Sequence, residues 1–104
     1  MTNNQEIAKT IIAQMGGFGK LRAMVGAKNF VSIDNGVMFT FKLCSKMNKV
    51  VITLTPTDLY DVKFYKINMK NIEKSMIPVE TFEEVYNDML IELFEKTTGL
   101  YLHF

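Results

Sequence analysis

Apolar residues recur at helical spacing near the start of the chain, at strand spacing through its middle, and at helical spacing again towards its end. Ile7, Ile11, Ile12 and Met15 fall on one face of a helix over 3–15. Thr2 and Gln5 are disposed as a capping box, and Gly16 is placed to end the helix in a left-handed conformation. A second, short helix over 19–25 turns Leu21, Met24 and Val25 inward. From Asn29 the period becomes two. FVSI, then DNG, then VMFTFKL predicts a hairpin whose turn residues tolerate positive φ.

In the second strand Val37, Phe39, Phe41 and Leu43 share one face, while Met38, Thr40 and Lys42 share the other. VVITLT forms a third strand, with Pro56 and Asp58 marking the turn after it. LYDVKFYKI forms a fourth, with Tyr60, Val62 and Phe64 opposite Asp61, Lys63 and Tyr65. NMKNIEKSMI reads as loop or frayed strand. Pro78 then opens a long helix, with Thr81 and Glu84 as its capping box. Its apolar stripe runs through Phe82, Val85, Tyr86, Met89, Leu90, Leu93 and Phe94, and Gly99 stops it. LYLHF returns as a short strand or docked tail. The order α-α-β-β-β-β-α predicts one α+β domain over 1–104: a four-stranded antiparallel meander with its N-terminal helices and long C-terminal helix on one face.

Composition narrows the functional classes. One cysteine, Cys44, permits no intramolecular disulfide and fits a reducing compartment. MTNNQEIAKT lacks the apolar core of a signal peptide, and no apolar run approaches the roughly 20 residues of a membrane span. The expected location is the cytoplasm, with no membrane partner. The net charge of +1 hides an asymmetry: residues 20–74 carry +6, with ten basic side chains against four acids, whereas 75–104 carry −5.

Little in the chain resembles catalytic machinery. Four of the six glycines crowd into AQMGGFGKLRAMVGAKNF. A phosphate-binding loop would need glycine at 14 and Ser or Thr at 21, where Gln and Leu stand. A dinucleotide fingerprint would need glycine at Arg22, and both motifs need a preceding strand. The glycines therefore read as the joint between two helices. His103 has no neighbouring ligand to complete a metal shell, and Cys44 stands alone in a turn. Glu80, Glu83, Glu84, Asp88, Glu92 and Glu95 read as the solvated face of the last helix. The eight methionines are scattered and read as core filling. No catalytic residue, metal or cofactor is expected.

The basic middle is the one candidate surface. Lys42, Lys63 and Tyr65 share the sheet face turned away from the helices, and Lys46 and Lys49 crown one end. A positive sheet face bearing an aromatic ring suits a phosphate backbone and a stacked base. The expected partner is nucleic acid or a nucleoprotein. The alternative is a host protein, towards which polarised charge would steer docking. An unpaired edge strand, or an apolar strip of Val51 and Met38, offers a route to a homodimer.

Three stretches carry a resemblance: MGGFGKLRAMVGAKNF (15–30), DLYDVKFYKI (58–67) and EVYNDMLIELFEKTTGLYLHF (84–104). Together they resemble a group of small proteins encoded by bacteriophages and other mobile elements. In that group a Leu-Gly-Gly segment precedes Met-x-Gly-Ala-Lys-Asn-Phe, and the chain closes near Thr-Gly-Leu-Tyr. Met15-Gly16-Gly17, Met24 to Phe30 and Thr98 to Tyr101 match it, with Met15 in place of leucine. The resemblance brings no catalytic residues. It implies an accessory protein of an infected or element-bearing bacterium that works by binding nucleic acid, or by inhibiting a host defence or regulatory system in the manner of an anti-CRISPR protein.

Overall fold

The computed structural model describes residues 4–42, 47–67 and 77–100. Helices α1 (Asn4–Gln14) and α2 (Phe18–Val25) lead into β1 (Lys28–Ile33), β2 (Gly36–Thr40), β3 (Lys49–Leu54), β4 (Tyr60–Lys66) and β5 (Ile77–Val85). A 3₁₀ turn (Asn87–Met89) then opens α3 (Leu90–Thr98). The strands lie side by side in chain order, every neighbouring pair antiparallel. The architecture is α+β, as the sequence pattern predicts.

The sheet has five strands instead of four, because a strand occupies 77–85 where a long helix is expected from Pro78. Thr81 and Glu84 therefore form no capping box. The C-terminal helix has only nine residues. Glu80, Glu83 and Glu84 lie on an edge strand and Asp88 in the 3₁₀ turn, so that only Glu92 and Glu95 remain on α3. The cause is a bulge. Tyr60 pairs with Val85 and Val62 with Phe82, so three residues of β5 span two of β4. Glu84 takes up the excess at φ 55°. Phe82 and Val85 thereby face the core three residues apart, a spacing that imitates a helix. Phe82 meets Phe64 edge to face at 6.2 Å and partners a strand that would otherwise end the sheet.

One face of the sheet is dry. Val37 and Phe39 on β2, Val50 and Ile52 on β3, and Tyr60, Val62 and Phe64 on β4 are buried, alternating with more open neighbours. Against this face α1 packs Ile7, Ile11, Ile12 and Met15, and α2 packs Leu21 and Val25. The ring of Phe94 on α3 lies 6.5 Å from Phe39 on β2, 5.1 Å from Phe41 just past it and 6.0 Å from Phe64 on β4, so it closes the core over the middle of the sheet. The helices thus cover one side of the sheet, as expected for amphipathic elements with one stripe to bury.

The glycine cluster is a helix joint. At the end of α1, Gly16 N–H donates to Ala13 C=O and Gly17 N–H to Ile12 C=O, a Schellman arrangement with Gly16 at φ 107°. Gly26 and Gly99 close α2 and α3 in left-handed conformations. Asn35 (φ 59°) turns the first hairpin and Asp58 (φ 63°) the loop between β3 and β4. Cys44 and His103 lie outside the described residues, as do 68–76 of the polar NMKNIEKSMI segment and the tail from Tyr101.

Candidate nucleic-acid interface on the open sheet face

The opposite face carries the alternate residues of each strand, and their register places them in rows. Lys28 pairs with Thr40, Thr40 with Lys49, Lys49 with Tyr65 and Tyr65 with Pro78. This row crosses all five strands at roughly 4.8 Å per step. The next row is Val31, Met38, Val51, Lys63 and Thr81. A third aligns Gly36, Thr53 and Asp61. Charge on this face is therefore graded: cationic where β3 begins and β4 ends, apolar across the middle of β1 to β3, and acidic at Asp61.

Of the expected site residues, Lys49, Lys63 and Tyr65 share the open face. Lys63 is exposed, and Lys49 and Tyr65 are half-buried between their cross-strand neighbours. Lys42 sits two residues past β2. Its backbone N–H donates to Val25 C=O at 2.8 Å, and its side chain runs beside Gly26, where an added Cβ would lie 3.2 Å from the Lys42 Cβ. Lys46 lies outside the described residues.

Lys28 is the member that the alternation of the sequence does not reveal. Phe30 points into the core, 5.1 Å from Phe39, so strict alternation would send Lys28 inward as well. Asn29 at φ 58° inserts a bulge between Lys28 and Val31 and restores Lys28 to the open face. The bulge is fastened by side chains. Thr40 Oγ1 donates to Lys28 C=O at 3.1 Å and accepts from Asn29 Nδ2 at 3.2 Å. An asparagine beside a strand start was the available signal, since Asn tolerates the left-handed region.

Two shallow depressions join these residues. One of about 140 Å³ is lined by Lys28, Thr40, Phe41, Lys42 and Asn48. Its neighbour of about 210 Å³ includes Asn29, Thr40 and Lys49. Asn48 holds this end of the sheet together: its Nδ2 donates to Ile67 C=O at 3.0 Å and its Oδ1 accepts from Ile67 N–H at 2.7 Å. The side chain extends the β3–β4 ladder beyond Lys49 and fixes the lysines' backbone. Lys28, Lys42 and Lys49 thus gather around Thr40 and Asn48 on a rigid base, with Lys63 and Tyr65 on the adjoining strand.

Such a group presents ammonium donors, a hydroxyl and an aromatic ring, and is suited to charge pairing and stacking. Among the described residues no group of three or more His, Cys, Asp or Glu side chains is placed to hold a metal ion. No described helix is long and apolar enough to cross a membrane. No protein-family model, curated protein or solved structure matches the chain.

Proposed function

We propose that this protein is a non-catalytic accessory module, of the kind encoded by bacteriophages and mobile elements, that binds nucleic acid or a nucleoprotein through the basic end of its open sheet face. The observation that carries the reading is the row Lys28–Thr40–Lys49–Tyr65, drawn from four strands and flanked by Lys42 and Lys63. Ammonium groups spaced along a sheet edge track phosphates, and the tyrosine ring offers a base a stacking surface. The chain has a single arginine, the side chain that best reads base edges, so the contact is to the backbone and carries little sequence preference. The test is a salt titration of binding to a labelled single-stranded oligonucleotide. Affinity falls steeply with salt, and Lys42→Glu with Lys63→Glu abolishes binding. A salt-insensitive affinity overturns the reading.

A second reading, an inhibitor of a host defence or regulatory protein, is favoured by a different surface. Tyr86 is 59% exposed and Met89 46% exposed, at the corner between β5 and α3, with Glu83, Glu84 and Asp88 beside them in the chain. An aromatic and a methionine within an acidic rim suit a basic protein surface. Capture from host lysate after nuclease treatment separates the two: a partner that survives the nuclease favours the inhibitor.

A further inference from the structure

The sheet has two outer edges, and they are built differently. β5 is blunted in the ways that discourage strand pairing: Pro78 removes a donor, bulges interrupt it near Val79 and at Glu84, and Glu80, Glu83 and Glu84 would repel a second copy. β1 has its lysine and its bulge at its first two residues, Lys28 and Asn29, and from there runs through Phe30-Val31-Ser32-Ile33 with neither proline, bulge nor charge. Among the described residues no strand pairs with its outer side. Val31 is 43% exposed in a sheet whose central strands are largely covered.

The direction of its hydrogen bonds follows from the neighbouring ladder. Leu54 N–H donates to Asn35 C=O at 2.6 Å, beside the Gly36–Thr53 pair, which makes that pair the open kind. Gly36 therefore exchanges its own two bonds with Ile33, and by alternation Val31 bonds to Met38. Ser32 and Phe30 turn their N–H and C=O groups to the free edge.

We propose that β1 is a pairing edge through which two copies of this chain join antiparallel about a two-fold axis at Val31. In this register Phe30 of each copy exchanges two backbone bonds with Ser32 of the other, the parity that the outward groups require. Val31 faces Val31 across the axis, on the open side of both sheets. Phe30 and Ser32 both line the groove of about 380 Å³ between α1 and β1, so pairing Phe30 with Ser32 sets the grooves of the two copies side by side. On the open face the apolar row Val31–Met38–Val51 becomes continuous with its symmetry mate. The proposal is independent of what the lysines bind.

The test uses the full chain with Cys44→Ser and a single Val31→Cys. Facing Cα atoms in an open antiparallel pair are about 4.5 Å apart, within disulfide range. Mild oxidation therefore links Val31→Cys into a dimer, while Val79→Cys on β5 stays monomeric. Light scattering of the unmodified protein shows the mass doubling with concentration. Val31→Lys, which sets two like charges face to face at an exposed position, raises the dimer dissociation constant at least about tenfold without changing the circular dichroism. A single-chain mass at every attainable concentration, equal cross-linking at Val79→Cys, or a Val31→Lys protein that still dimerises overturns it. A monomer would leave the edge to an extended peptide of another protein.

Discussion

The Tyr60 hydroxyl donates to Gln14 Oε1 at 2.8 Å, joining the last turn of α1 to the first residue of β4 across forty-six positions of sequence. Burial pushes the phenol above its ordinary value of 10; the bond to Gln14 opposes that push and the charge of Asp58 adds to it. The folded protein therefore keeps a proton that the unfolded chain releases near pH 10, and the sign follows. Tyr60's contribution to stability is complete below about pH 10 and is lost as pH rises through the raised folded value. Urea unfolding of Tyr60→Phe against the parent between pH 7 and 11 reads this directly. At pH 7 the variant is less stable by about 1 kcal/mol, because Gln14 loses its donor. The gap narrows above pH 10, and a constant gap would show that the phenol carries no linkage.

Gly36 is required by a close approach, not by φ. A Cβ there would sit 2.1 Å from the Ile52 carbonyl oxygen and 2.9 Å from Thr53 Cα, both backbone atoms of β3. Gly36→Ala therefore forces the start of β2 away from the end of β3, a distortion worth about 1–3 kcal/mol. The denaturant midpoint falls accordingly, with the slope unchanged. The same substitution at Gly19, where an added Cβ meets nothing within 4 Å, serves as the tolerated control.

These elements differ in how plainly the sequence announces them. Strands β2 to β4 are legible because Phe39, Val50, Ile52, Val62 and Phe64 alternate without interruption over a face that is buried on one side only. The two helices and their glycine joint are legible because Schellman geometry needs Gly16 and the stripes are regular. The misreadings both fall at bulges. At Asn29 one extra residue hides Lys28 from the face where it belongs; at Glu84 one extra residue makes a strand look helical. Period-based reasoning assumes an unbroken count, and a left-handed residue inside a strand breaks it without changing composition.

Among the described residues four non-glycine positions have positive φ, and Glu84 is the exception beside Asn29, Asn35 and Asp58. Asn and Asp bear that conformation at modest cost, whereas a left-handed glutamate costs about 1–2 kcal/mol. Glu84 is exposed, so its side chain contributes little packing in return. Glu84→Gly releases the strain but adds freedom to the unfolded chain, which leaves a net gain of about 0.5–1 kcal/mol. Thermal unfolding then shows a higher midpoint. A lower one would mean that the glutamate carboxylate holds the bulge together.

The bulge at Asn29 makes the most discriminating statement about the interface. If Lys28, Lys42 and Lys49 act as one group around Thr40 and Asn48, reversing Lys28 weakens oligonucleotide binding as much as reversing Lys42 or Lys49. Each lost phosphate contact lowers the slope of log affinity against log salt by about 0.7 for a single strand. Lys28→Glu, Lys42→Glu and Lys49→Glu should each show that reduction, measured by fluorescence anisotropy from 50 to 300 mM salt. Lys96→Glu, on α3 behind the sheet, changes net charge by the same amount and leaves the slope alone. Equal slopes across all four variants would show that overall charge, not a localised site, governs the encounter. Asn29→Val adds a separate constraint: a β-branched residue is a poor occupant of the left-handed region, so losing the bulge returns Lys28 to the helix side. Binding then falls as in Lys28→Glu although every lysine remains, and only a site built by the bulge predicts that loss.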